Sequence, residues 1–128
     1  MSSLIRWIKR LESRETPKTI VATATTTISY EDATRGVVVS NRGAGAEVIV
    51  NLPAAVPGMR VAGIVQSAQL LSFDPNGTEI IYGIAGVSLT AGVPIKANAA
   101  GECITLVCVE KGSWSVEGFV GVWTATGA

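Results

Sequence analysis

Short apolar runs, each ended by turn-forming residues, recur along most of this 128-residue chain. The runs are rich in Val, Ile and Thr, which favour β-strands. Gly- and Pro-containing turn signals separate them at intervals of about 8–12 residues, a spacing typical of sandwiches and barrels. The sequence therefore predicts an all-β fold, a jelly-roll-like β-sandwich or barrel, preceded by a short N-terminal amphipathic helix or arm. No repeat period and no alternation of strands with helices is evident.

The closing strands are predicted from residues 101–124. Residues 102–110 form an apolar run, and the Lys111-Gly112 pair can turn it back into a hairpin because glycine tolerates a positive φ. Farther on, the two-residue period of a strand places three residues on one face: Phe119, Gly121 and Trp123. Since aromatic side chains dominate buried contacts, we expect a core or subunit-interface position for Trp114, Phe119 and Trp123.

A helix is predicted at the N-terminus, over residues 3–15. Its apolar residues follow the i, i+3, i+4, i+7 spacing, and they are Leu4, Trp7, Ile8 and Leu11. Pro17 is expected to end the helix near Glu15. Because so short a helix is marginal in isolation, this apolar stripe needs a partner. That partner could be the same helix in other subunits, the body of the chain, or a foreign protein.

Charge divides the chain into two domains, an arm over residues 1–18 and a β-sandwich or barrel body over 19–128. Residues 1–18 carry five basic and two acidic side chains, a net charge of +3, and the remainder carries −3. A basic arm on an acidic body indicates that the arm meets an acidic surface, although a solvated helix face is the simpler alternative.

Composition indicates burial between subunits. Hydrophobic residues make up 48% of the chain and charged residues only 16%, against about 25% charged in a typical soluble domain. No apolar run reaches the ~18 residues that a membrane helix needs. We therefore expect no membrane partner, and apolar surface hidden against other chains.

Nothing in the sequence favours catalysis or metal binding. The chain has no His, and its acidic residues are scattered, so we expect no catalytic residue, metal ligand or cofactor. Cys103 and Cys108 would lie about 17 Å apart on opposite faces of one strand, which excludes a disulfide between them. Buried free thiols fit a protein made in a reducing cytoplasm. The N-terminus has no uninterrupted apolar core, so it is not a signal peptide.

The order of motifs resembles that of small β-rich structural proteins of tailed bacteriophages, which decorate or cement the capsid or form fibre tips. The resemblance spans residues 19–128. It is carried by a Thr-rich opening strand, by GVVVS, and by the segments VIVNLPAAVPGMRV, DPNGTEIIYG and GECITLVCVEKGSWSVEGFVGVWT. It implies a virion protein without enzymatic activity, made in the host cytoplasm, and often a homotrimer with an N-terminal arm that grips the shell.

The basic arm favours a decoration or cement protein whose partner is the major capsid protein, with no nucleic acid bound. Its expected capsid-binding residues are Leu4, Arg6, Trp7, Ile8, Lys9, Arg10 and Leu11. The alternative is a tail-fibre or head-fibre module that binds a receptor or glycan. Such a module could stack sugars on a platform formed by Tyr82, Trp114 and Trp123.

Overall fold

A computed structural model of the chain describes residues 17–127, which are mostly β. The predicted N-terminal helix lies outside the described residues. One α-helix, α1 (Tyr30–Arg35), and one 3-10 turn (Ile84–Gly86) occur among the strands. The strands are β1 (Lys18–Val21), β2 (Thr26–Thr27), β3 (Val37–Ser40), β4 (Val48–Asn51), β5 (Arg60–Ile64), β6 (Leu71–Asp74), β7 (Ile80–Tyr82), β8 (Ile95–Ala97), β9 (Cys103–Val107) and β10 (Ser113–Val120).

The strands form two mixed sheets. One has six strands in the order β1-β3-β5-β9-β10-β7, and the other has four in the order β2-β4-β6-β8. Within residues 17–127, five of the eight strand pairings are parallel. Jelly rolls are built from antiparallel Greek keys. The prediction of a jelly-roll-like sandwich or barrel is therefore wrong.

The first half of the described chain winds between the two sheets. β1, β3 and β5 lie side by side in parallel in the larger sheet, and β2, β4 and β6 do the same in the smaller one. Val37 pairs with Val61 and Val50 with Phe73, so successive turns are offset by 24 and 23 residues. This winding is that of a short parallel β-helix. The turns differ in sequence, and the repeat is therefore not evident from the residues.

A buried asparagine joins two successive corners of this winding. The Asn41 side-chain amide donates to the carbonyl oxygens of Ser67 and Gln69, at 3.0 and 3.2 Å. Its Oδ1 accepts the backbone N–H groups of Gln66 and Ser67, at 2.7 and 3.0 Å. Asn41 is fully buried, so these contacts satisfy corner backbone groups that water cannot reach.

The second half of the chain completes the sheets with antiparallel pairs. The predicted closing hairpin is confirmed, because β9 and β10 pair in antiparallel and β9 also pairs with β5. The chain turns at residues 76–79, where the N–H of Glu79 donates to the carbonyl oxygen of Asn76 at 3.0 Å, but β6 and β7 do not form a hairpin. β6 lies in the smaller sheet, and β7 pairs in parallel with β10 in the larger one.

The core lies between the inner faces of the two sheets. Alternate residues of the central strands point inward and are fully buried, among them Val39, Val61, Leu71 and Leu106. Gly63 faces Phe73 across the core, where a Cβ on the glycine would lie 2.2 Å from the ring atom Cζ. The glycine thus leaves the space that the phenyl ring occupies.

α1 begins at a side-chain cap that the sequence analysis did not identify. The Ser29 hydroxyl accepts the N–H of Asp32 at 3.1 Å, the usual bond of a serine N-cap. The carboxylate of Asp32 also lies 3.1 Å from Lys18 Nζ of β1. A short helix therefore lies between β2 and β3.

Candidate interaction surfaces

The three aromatic residues predicted for the core or a subunit interface separate in the structure. Trp114 and Trp123 are buried, with 0% and 2% of their surface exposed, and Phe119 is 46% exposed. The Trp123 ring packs against Phe73, with the ring centroids 6.1 Å apart. Phe119 is therefore not a core residue of the single chain, although a subunit interface remains open to it.

The predicted common face of Phe119, Gly121 and Trp123 is wrong, because β10 ends at Val120. Gly121 adopts a φ of +92°, a conformation that suits glycine, and the chain then leaves the larger sheet. Thr124 next exchanges two backbone hydrogen bonds with Lys96 of β8, at 2.8 and 3.0 Å. Trp123 is thereby carried into the core beside the smaller sheet.

An apolar groove of about 500 Å³ lies beside the far half of β10. Its walls are residues 82–86 and 115–119, which include Tyr82, Ile84 and Phe119. β7 pairs only with residues 113–115, so no strand of the described chain covers this side of β10 beyond Ser115. The carboxylate of Glu117, the charged group of the lining, pairs with Arg60. We call this surface the β10 groove.

The middle of the outer face of the six-stranded sheet is also largely apolar. Strand register places Val38, Ala62 and Thr105 in one row across it, and Ile64 and Cys103 in the next. All five are partly exposed, in contrast to their buried inward neighbours. Val21 and Val120, which are largely exposed, lie at the two ends of the second row, and the buried Ser40 lies between Val21 and Ile64. We call these seven residues the outer sheet face.

Glu102, the residue before β9, connects the start of that strand to the C-terminal segment. Its carboxylate oxygens accept the N–H groups of Ala99 and Val122, at 2.8 and 2.6 Å. The hydrogen bond from Val122 is the main reason why the pKa of Glu102 lies below its usual value, and partial burial opposes it. The contact holds the turn at Gly121 against the start of β9.

Both cysteines are free thiols, as predicted. Cys103 is partly exposed on the outer sheet face, so the expectation of burial fails for it. Cys108 is buried, and desolvation raises the pKa of its thiol, with a smaller effect from the charge of Glu79.

The aromatic platform expected of a glycan-binding module is not assembled, because Trp114 and Trp123 are buried and only Tyr82 of the three is exposed. Among residues 17–127, no group of three or more His, Cys, Asp or Glu side chains is arranged to hold a metal ion. The same part of the chain has no helix long and apolar enough to cross a membrane. The expected capsid-binding residues, from Leu4 to Leu11, lie outside the described residues.

Neither a scan against known family models nor a search of curated proteins finds a match to this chain.

Proposed function

We propose that the chain is a structural virion protein that binds and stabilises a phage capsid surface as a decoration or cement protein. One relationship supports this most. The basic arm joins the body at β1, at one edge of the six-stranded sheet, and the β10 groove lies towards the other edge. Four strand spacings separate β1 from β10, about 19 Å at the usual ~4.8 Å per spacing.

Two separate contact regions suit a protein that bridges other subunits. The arm, which without the β1 residue Lys18 carries four basic and two acidic side chains, a net charge of +2, meets the acidic surface of the major capsid protein. The β10 groove, whose Glu117 is already paired with Arg60, meets an uncharged apolar surface of another copy. Phe119 and Tyr82 are the exposed aromatic side chains of the groove, and aromatic residues often carry much of the binding energy of an interface. Self-association through the groove gives the proposed homotrimer.

Co-sedimentation with capsids that lack this protein tests the function. The intact chain should pellet with the capsids in a saturable manner, and a chain without residues 1–16 should remain in the supernatant. Phe119→Ser should reduce self-association while each remaining monomer still binds the capsid through its arm. Tyr30→Ser is a matched control, since Tyr30 is an exposed aromatic residue distant in sequence from both surfaces.

Failure of the intact chain to bind any capsid would contradict the proposal. Capsid binding by the truncated chain would show that the body itself docks. Specific binding to a glycan array, without capsid binding, would instead favour the fibre-module alternative.

A further inference from the structure

The outer sheet face has the composition of a covered surface. Sheets with many parallel strands are normally covered on both faces and therefore have apolar residues on both. The middle of β3, β5 and β9 follows this rule, because Val38, Ala62 and Thr105 point outward there, and the charged Arg60 faces this side only at the start of β5. The smaller sheet covers only the inner face. The outer face therefore indicates a second covering layer.

We propose that residues 3–15 of the same chain form this layer, with the stripe Leu4, Trp7, Ile8 and Leu11 packed on the outer sheet face. The predicted helix ends near Glu15 and β1 begins at Lys18. A connection this short matches the loops of 2–6 residues that join a helix to a strand and pack it against the sheet. The inner face is occupied, so the helix lies on the outer one.

The length of the predicted helix and the charge of the outer sheet face agree with this placement. A helix of 13 residues is about 20 Å long at ~1.5 Å per residue, and six strands span about 24 Å. None of the seven residues of the outer sheet face is charged. Arg60 points to the same side of β5 as Ala62, but it lies at the start of the strand and is paired with Glu117. With the stripe packed on the sheet, Arg6, Lys9 and Arg10 point to solvent. Capsid binding in the proposed function would then depend on these basic side chains rather than on Trp7.

Thiol labelling of Cys103 tests the proposal on the free protein, without any capsid. Cys103 lies on the outer sheet face, and the buried Cys108 reports whether the body stays folded. Deleting residues 1–16, or combining Trp7→Ala with Leu11→Ala, should speed iodoacetamide labelling of Cys103 at least about tenfold, the factor that corresponds to about 1.4 kcal/mol of docking. Arg6→Ala with Lys9→Ala, on the other side of the helix, should leave the rate unchanged.

Equal Cys103 labelling in all four proteins would overturn the proposal. So would protection that disappears on about hundredfold dilution, because a second copy would then cover the face.

If the truncated chain and the Trp7→Ala, Leu11→Ala variant both unfold, so that Cys108 is labelled, limited trypsin digestion of the intact chain tests the proposal instead. Docking should protect the bonds after Lys9, Arg10 and Arg14, and Thr105→Glu should expose them while Thr27→Glu in the smaller sheet should not. Rapid cleavage of the unmodified chain at these bonds would contradict docking. Because no capsid is present, these outcomes are independent of the proposed function.

Discussion

The carboxylate of Glu102 accepts the backbone N–H of Val122 at 2.6 Å, and this contact joins the start of β9 to the segment that follows β10. Gly121 makes the contact possible, because a Cβ at that position would lie 2.3 Å from the same carboxylate oxygen. Two residues later Trp123 enters the core. Glu102 therefore helps to hold the C-terminal segment in the fold.

The Glu102 contact predicts a specific loss of stability in acid. The folded-state pKa of Glu102 is lowered from the ordinary value of 4.5. Its contribution is therefore fully present above the unfolded-state pKa and is lost as the pH falls through the folded-state pKa. Urea unfolding of the parent and of Glu102→Gln should show the parent more stable at pH 7, with the difference shrinking as the pH falls below 4.5. A difference that stays constant with pH would contradict this role.

Gly63→Ala should destabilise the body by about 1–3 kcal/mol, as overpacking of a close-packed core does. The added methyl group would lie 2.2 Å from Cζ of Phe73, which is fully buried. Gly45→Ala is the control, since nothing lies within 4 Å of a Cβ there and its φ is not positive. Chemical denaturation measures both. Equal stability of the two variants would mean that the sheets are farther apart than described.

Trp123→Ala should cost about 3–5 kcal/mol, as truncation of a buried aromatic side chain does. Phe119→Ala in the monomer should cost only about 1 kcal/mol, because roughly half of the side chain's burial is available to lose. From the sequence, both residues were expected in the core or a subunit interface. Thermal unfolding of dilute protein measures the difference, and a large loss for Phe119→Ala would mean that Phe119 is buried in the molecule in solution.

Local signals in the sequence predicted where the chain turns, but not which strands become neighbours. The chain turns at residues 76–79, within the segment DPNGTEIIYG, yet this turn passes the chain from β6 in one sheet to β7 in the other. A turn sequence fixes backbone angles over four residues, whereas pairing depends on distant strands such as β10. Position 121 shows the same limit. The two-residue period predicted that the strand continues through Gly121, but β10 ends just before it, at Val120.

The candidate surfaces were only partly predictable. The aromatic residues were identified from their type, but the separation of the exposed Phe119 from the buried Trp123 depends on the bulge between Val116 and Gly118 and on the turn at Gly121. The outer sheet face could not be found from sequence, because its residues come from separate strands and share a row only through strand register. The Ser29–Asp32 spacing was the available signal for α1.

The most direct test of the account is the heat stability of capsids that lack this protein, followed by the fluorescence of a DNA-binding dye as the packaged DNA is released. Adding the intact chain should raise the release temperature until a fixed number of copies per capsid is bound, and adding the chain without residues 1–16 should not. An unchanged release temperature at saturating concentrations of the intact chain would contradict a role in binding and stabilising the capsid.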